Sequence, residues 1–139
     1  MTMSVDAQQR AAIVEAVKRV AREHLRAKNA TDALSHYEPD AIVAGNAFLY
    51  PSFEQFAEDA RDFYRTLQQI DLAVWDEMHV QVLGEDAAVL TATVRWSSTD
   101  TAGVRLDLKG AWTAVFVQRD GRWRICARHE SFEPHAHQE

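Results

Sequence analysis

The sequence predicts an α+β domain: helices first, then a curved antiparallel β-sheet that wraps around them. Three observations carry this. Apolar residues recur at helical spacing up to about residue 70 and with a period close to two beyond it. Tight-turn signals at Gly84-Glu85-Asp86 and Asp120-Gly121 divide the second half into long strands. Those strands are apolar mainly on one face, the pattern of a sheet that covers amphipathic helices.

The first element spans roughly residues 5 to 28, where Val14, Val17, Ala21 and Leu25, flanked by Ile13 and Val20, form one apolar stripe. A shorter helix is expected over TDALSHY, with Thr31 as its N-cap. In PDAIVAGNAFLYPS, Gly45 and Asn46 supply a turn between two short strands. Ser52 followed by Gln55 has the capping-box pattern and opens a third helix with Phe56, Ala60, Phe63, Tyr64 and Leu67 on one face. Four strands follow, at about 72–83, 87–98, 103–118 and 122–132, with the polar SSTDTAG as a loop.

At 139 residues the chain is expected to form a single domain over 1–139, with a core at about 5–132 and a flexible tail at 133–139. No segment approaches the roughly 20 apolar residues of a membrane span. The opening MTMSVDAQQR lacks a signal peptide's apolar region, so the expected compartment is the cytoplasm. A net charge of −6 without a basic stripe disfavours a nucleic-acid partner. The one cysteine, Cys126, excludes an internal disulfide and has no evident base beside it. The glycines are scattered at turns and form no phosphate loop, and no cofactor is expected.

Parity assigns the strand faces. Leu90, Ala92, Val94 and Trp96 share one face, as do Leu106, Leu108, Gly110, Trp112, Ala114 and Phe116. In the last strand the inward series reads Trp123, Ile125, Ala127 and then His129. Val115 and Val117, with Thr113 and Cys126, lie on the other face, which predicts a homodimer formed through the outer side of the sheet.

The order of elements, the turn in HVQVLGEDAAVL and the ending AVFVQRDGRWRICARHESF together resemble the nuclear-transport-factor-2-like superfamily. The most similar branch is that of the SnoaL-like and calcium/calmodulin-kinase association-domain proteins. The best marks are GEDAA and the series Asp120, Gly121, Arg122, Trp123, His129 and Ser131. The resemblance covers about residues 5 to 132 and implies a cone-shaped, cystatin-like barrel with a pocket at its open end. It does not fix an activity, because members include isomerases, dehydratases, cyclases and oligomerisation hubs.

His129, at the end of the inward series, is the candidate for acid–base catalysis, since imidazole titrates near neutrality. The alternative is a structural histidine bonded to backbone. His24, Tyr64, Trp96, Trp112, Ala114 and Phe116 are expected to line the pocket with it, and Tyr37 and Tyr50 are further hydroxyl donors. Asp40 is read as a turn residue. Arg128 and Glu130 point away from His129 unless a bulge reverses the strand. Glu133, His135 and His137 lie close together, but a tail gives a metal no fixed geometry, and no metal site is expected.

The tyrosine and two aspartates of the superfamily's ketosteroid isomerases fall near Ala21, Gly45 and Thr113, so that mechanism is not implied. The pocket arginines of the kinase association domains fall on Val94 and Ala114. The expected ligand is therefore a small, mostly apolar molecule, with isomerase-, cyclase- or dehydratase-type chemistry as its possible fate. The rival expectation is a non-catalytic oligomerisation or accessory module whose pocket is filled by Trp96, Trp112 and Phe116.

Overall fold

A computed structural model describes residues 5–133. The long helix α1 (Ala7–Leu25) opens on a capping box in which Asp6 accepts from the Gln9 backbone N–H and Gln9 returns a bond to Asp6. Ile13, Val17 and Ala21 form its buried stripe. The short helix α2 (Ala30–Leu34) is capped by Asn29 rather than Thr31, because the Asn29 side chain reaches the Asp32 N–H. Strand β1 (Tyr37–Gly45) turns through Asn46 and Ala47, both at positive φ, into the two-residue β2 (Phe48–Leu49). Ser52 caps α3 (Phe53–Thr66) by accepting from the Gln55 N–H, as its spacing predicts.

Helix α3 passes straight into β3 (Leu67–Gly84), which starts five residues earlier than periodicity indicated. Leu67 is accordingly the extended cap of α3 and not part of its apolar face. Strands β4 (Ala87–Asp100), β5 (Arg105–Arg119) and β6 (Arg122–Phe132) complete one six-stranded sheet in the order β2-β1-β6-β5-β4-β3. The last four strands form the expected antiparallel meander, but β1 joins β6 in parallel. Helices followed by this curved, unclosed sheet make the α+β architecture that the patterning predicts.

The core lies between α1 and the inner face of the sheet. Val17, Val43, Leu90, Phe116 and Ile125 are its largest fully buried side chains. Parity holds along β4 and most of β5, where Ala88, Leu90, Ala92, Val94 and Trp96 are buried opposite Phe116, Ala114 and Trp112.

Near the middle of β6 the parity breaks. Phe116 faces Ile125 and Val115 faces Ala127, which leaves Cys126 as one extra residue, a β-bulge. Since the side-chain period is two, every residue beyond it changes face. Arg128 now pairs with inward-facing Ala114 and Val43, while His129 pairs with outward-facing Thr113 and Ala44. The polar end of β6 therefore faces inward through Arg128 and Glu130.

Residues 134–139, with His135 and His137, lie outside the described residues; Glu133 donates its backbone N–H to the Lys109 carbonyl. Among the described residues no helix is long and apolar enough to cross a membrane.

Candidate functional site

A cavity of about 370 Å³ opens between α1, α3 and the inner face of the sheet. Its walls are aromatic: Tyr37 and Tyr50 from the β1–β2 region, Phe56, Phe63 and Tyr64 from α3, Trp75, Trp96 and Trp112 from the meander, and Phe132 from β6. These rings come from segments far apart in sequence, brought together because each strand sends alternate residues inward. Trp75 and Trp112 pack with centroids 5.1 Å apart, and Trp75 Nε1 donates to the Ala21 carbonyl at 3.1 Å.

Within this apolar lining sits one polar cluster. Arg128 donates from Nη1 to the Tyr37 hydroxyl at 2.6 Å and pairs through Nη2 with Glu130 at 2.6 Å. Its side chain is 8% exposed. The guanidinium also lies 5.0 Å from the Phe56 ring centroid and 5.9 Å from that of Trp112, cation–π contacts that help hold a charge out of water. Burial works against the Arg128 charge, but Tyr37 and Glu130 more than offset it and keep the group firmly protonated. The Tyr37 oxygen lies 3.0 Å from His24 Nε2.

The first donor role in this chain follows from elimination. A guanidinium can only donate, so the Tyr37 oxygen accepts from Arg128. The Tyr37 hydroxyl proton is then free to bond His24 Nε2, and in that arrangement Nε2 is the accepting nitrogen of a neutral ring. Burial, reinforced by the nearby Arg128 and His36, lowers the His24 pKa from 6.5 to about 3, in accord with a neutral imidazole. With Nε2 accepting, the ring proton sits on Nδ1. Burial pushes Tyr37 up to about 12, so its hydroxyl keeps its proton.

Three buried side-chain nitrogens have no hydrogen-bond partner among the described residues: His24 Nδ1, Trp96 Nε1 and Arg128 Nε. All three residues line this cavity. At a second polar point, the Tyr50 hydroxyl donates to Asp59 at 2.7 Å, and burial together with that bond pushes Tyr50 up to about 12.

Of the residues that the sequence singles out, His24, Tyr64, Trp96 and Trp112 line the cavity, as do the hydroxyl candidates Tyr37 and Tyr50. Ala114 and Phe116 face inward but lie in the core at 1% and 0% exposure, outside the lining. His129 is exposed on the opposite face of the sheet, a correction that follows from the bulge at Cys126. Arg128, Glu130 and Asp59 line the cavity without having been singled out. Arg128 and Glu130 reach the cavity because β6 carries a bulge, without which parity turns them outward.

The chain matches the family profile of the calcium/calmodulin-dependent protein kinase II association domain over residues 12–134. The chain belongs to that family. No curated protein matches it.

Among solved structures, a candidate association-domain protein of this family from Xanthomonas campestris is 24% identical, with 96% of this chain and 95% of that one covered at a TM-score of 0.72. A candidate scytalone dehydratase from Novosphingobium aromaticivorans has a TM-score of 0.80 at 14% identity, covering 93% of this chain and 89% of that one. A candidate dehydratase of the NTF2-like family from Streptomyces avermitilis scores 0.73 at 16% identity, covering 87% of this chain and 97% of that one. At these identities the likeness is one of fold.

Val94, one of the two positions where the resemblance puts an association-domain arginine, lines the cavity as an apolar residue. The guanidinium in the lining comes from Arg128 on β6, two strands away in the sheet.

Proposed function

We propose that this association-domain relative binds a small, mostly apolar molecule in the cavity between the helices and the sheet. The observation that carries the reading is the open space of about 370 Å³, walled mainly by aromatic rings and holding a few inward-facing polar groups. That is the usual make-up of a small-molecule site: apolar lining with a small number of orienting donors and acceptors. The rival reading, a pocket filled by its own tryptophans, is opposed by the same space. Trp96 and Trp112 stand at its walls and Phe116 lies behind them.

Acid–base chemistry has less support than binding. His24 and Tyr37 are the groups placed to handle a proton, and both are held away from neutrality, one near 3 and the other near 12. A general acid or base works best when its pKa lies near the working pH. The cluster is better suited to orienting a ligand than to turning it over.

The test fills the cavity without touching the polar cluster. Ala60 lines it from α3 and is only partly buried, so Ala60→Trp places an indole in the space. Binding of a naphthalene probe, followed by NMR titration, is expected in the wild type and should be lost in the variant, with the melting temperature little changed. Equal probe binding by both proteins would place the binding surface elsewhere and sink the proposal.

We propose in addition that two copies pair through the outer face of the sheet. Val89, Val115 and Val117 are half-buried there, and Ile42 is 61% exposed on β1. A continuous β-branched surface of this kind is the sort that a second sheet covers.

A further inference from the structure

The cations of this chain divide sharply along the sequence. Beyond residue 60, every lysine and arginine except Arg122 forms an ion pair with a carboxylate. The six between residues 10 and 28 form none among the described residues. Acidic residues outnumber basic ones by 21 to 15, so carboxylates are not scarce. Glu23 even stands four residues after Arg19 and three before Arg26, spacings at which helical side chains meet, and pairs with neither.

Four of these cations, Arg19, Arg22, Arg26 and Lys28, line one groove between the C-terminal half of α1 and α2. All four are exposed. Arg19, Arg22 and Arg26 follow at spacings of three and four, so they share a face of the helix and spread their charge over about 10 Å. Asp32, on the facing wall, is taken up in the cap of α2, where it accepts from the Asn29 amide at 3.0 Å. Like charges at these spacings weaken a helix, and the helix dipole favours cations only at its C-terminal end. That accounts for Arg22 and for Arg26 at the cap, but not for Arg19, a turn earlier, or for Lys28, beyond the helix.

We propose that this groove docks an acidic segment of a partner protein, whose carboxylates take the place of the missing ion pairs. An arginine receives a carboxylate through two parallel N–H bonds, and polar walls such as Asn29, Ser35 and His36 suit a charged guest. Two other anionic classes fit less well. A net charge of −6 repels a long nucleic acid, whose phosphates run far past four cations. A bilayer is flat, and cations on the walls of a groove do not all reach its headgroups. A short acidic segment carries its charge locally and can enter. The groove shares no lining residue with the aromatic cavity, so this docking stands apart from ligand binding there.

The probe is a fluorescein-labelled hexaglutamate peptide, its binding to the full chain read by fluorescence anisotropy. It should bind, with affinity falling as salt rises, and a hexalysine peptide with the same label should not. Arg22→Glu should weaken hexaglutamate about tenfold, and Arg22→Ala, which only removes the charge, severalfold. Arg65→Glu, the same reversal on an exposed position of α3, should leave the affinity within about twofold. Far-UV circular dichroism checks that all three variants keep the fold. Failure of hexaglutamate to bind, or equal weakening by the two reversals, overturns the proposal. Tighter binding of an oligothymidylate DNA, or of phosphatidylserine vesicles, that is lost in Arg22→Glu would assign the groove to a nucleic acid or a membrane and overturns it likewise.

Discussion

Acidification from pH 7 to pH 5 should destabilise this protein by up to about 2 kcal/mol through His24. In the folded state burial, with Arg128 and His36, lowers its pKa from 6.5 to about 3. In the unfolded chain the imidazole titrates at its ordinary value. The folded pKa is the depressed one, so the unfolded state binds the proton first as pH falls. Stability from this group is fully present above 6.5 and is lost between 6.5 and about 3. Each pH unit in that window is worth about 1.4 kcal/mol, which gives the figure at pH 5. The ring is partly rather than wholly covered, so the figure is an upper bound.

The assay is urea denaturation at pH 7 and pH 5, followed by tryptophan fluorescence, on the wild type and on His24→Gln, whose amide oxygen can still accept from Tyr37. His36, also lowered by burial, contributes to both proteins and cancels. Asp71 and Asp76, held below 3.8 by their hydrogen-bond partners, lose their contribution only at lower pH. The wild type should lose up to about 2 kcal/mol more than the variant between the two conditions. An equal loss in both would mean that His24 takes up its proton in the folded state at an ordinary pH, and the network of neutral Tyr37 and neutral His24 with the Arg128 guanidinium would have to be abandoned.

Two further outcomes follow from the same geometry. His129→Ala removes an exposed side chain from the outer face, so stability should change by no more than about 0.5 kcal/mol and naphthalene-probe affinity should be unchanged; a marked loss of probe binding, read by NMR titration, would return His129 to the site. Val115→Lys puts a charge on the outer face of β5 and should halve the molar mass measured by light scattering, with far-UV circular dichroism unchanged; a wild type that is already monomeric would dispose of the dimer.

Helices and strands were legible in this sequence because their signals are local. The stripe of α1 and the Ser52 cap need only a few neighbouring residues to be read. The alternation along β4 and β5 likewise put Trp96 and Trp112 on the inner face. The parallel pairing of β1 with β6 was not legible, since it joins residues some ninety positions apart and leaves no local mark. Nor was the direction of the last strand. Parity read His129 as inward because Trp123 and Ile125 are, and it read Arg128 and Glu130 as outward because they alternate with His129. Both inferences are sound for a regular strand. The fold breaks the rule where it places its polar cluster, and such local exceptions gather at functional sites.

The bulge at Cys126 has a consequence for how this pocket could change over evolutionary time. The end of β6 encodes two separate polar inventories, Arg128 with Glu130 on one parity and His129 with Ser131 on the other. A single residue that belongs to neither decides which of them faces the cavity. Were the same residues to run as a regular strand, with Cys126 paired instead of bulged, His129 and Ser131 would face the cavity in place of the ion pair of Arg128 and Glu130 while the hydrogen-bonded ladder above stayed in place. Ligand preference in such a domain can therefore shift by a change of reading register along one strand, without any substitution among the residues that do the recognising.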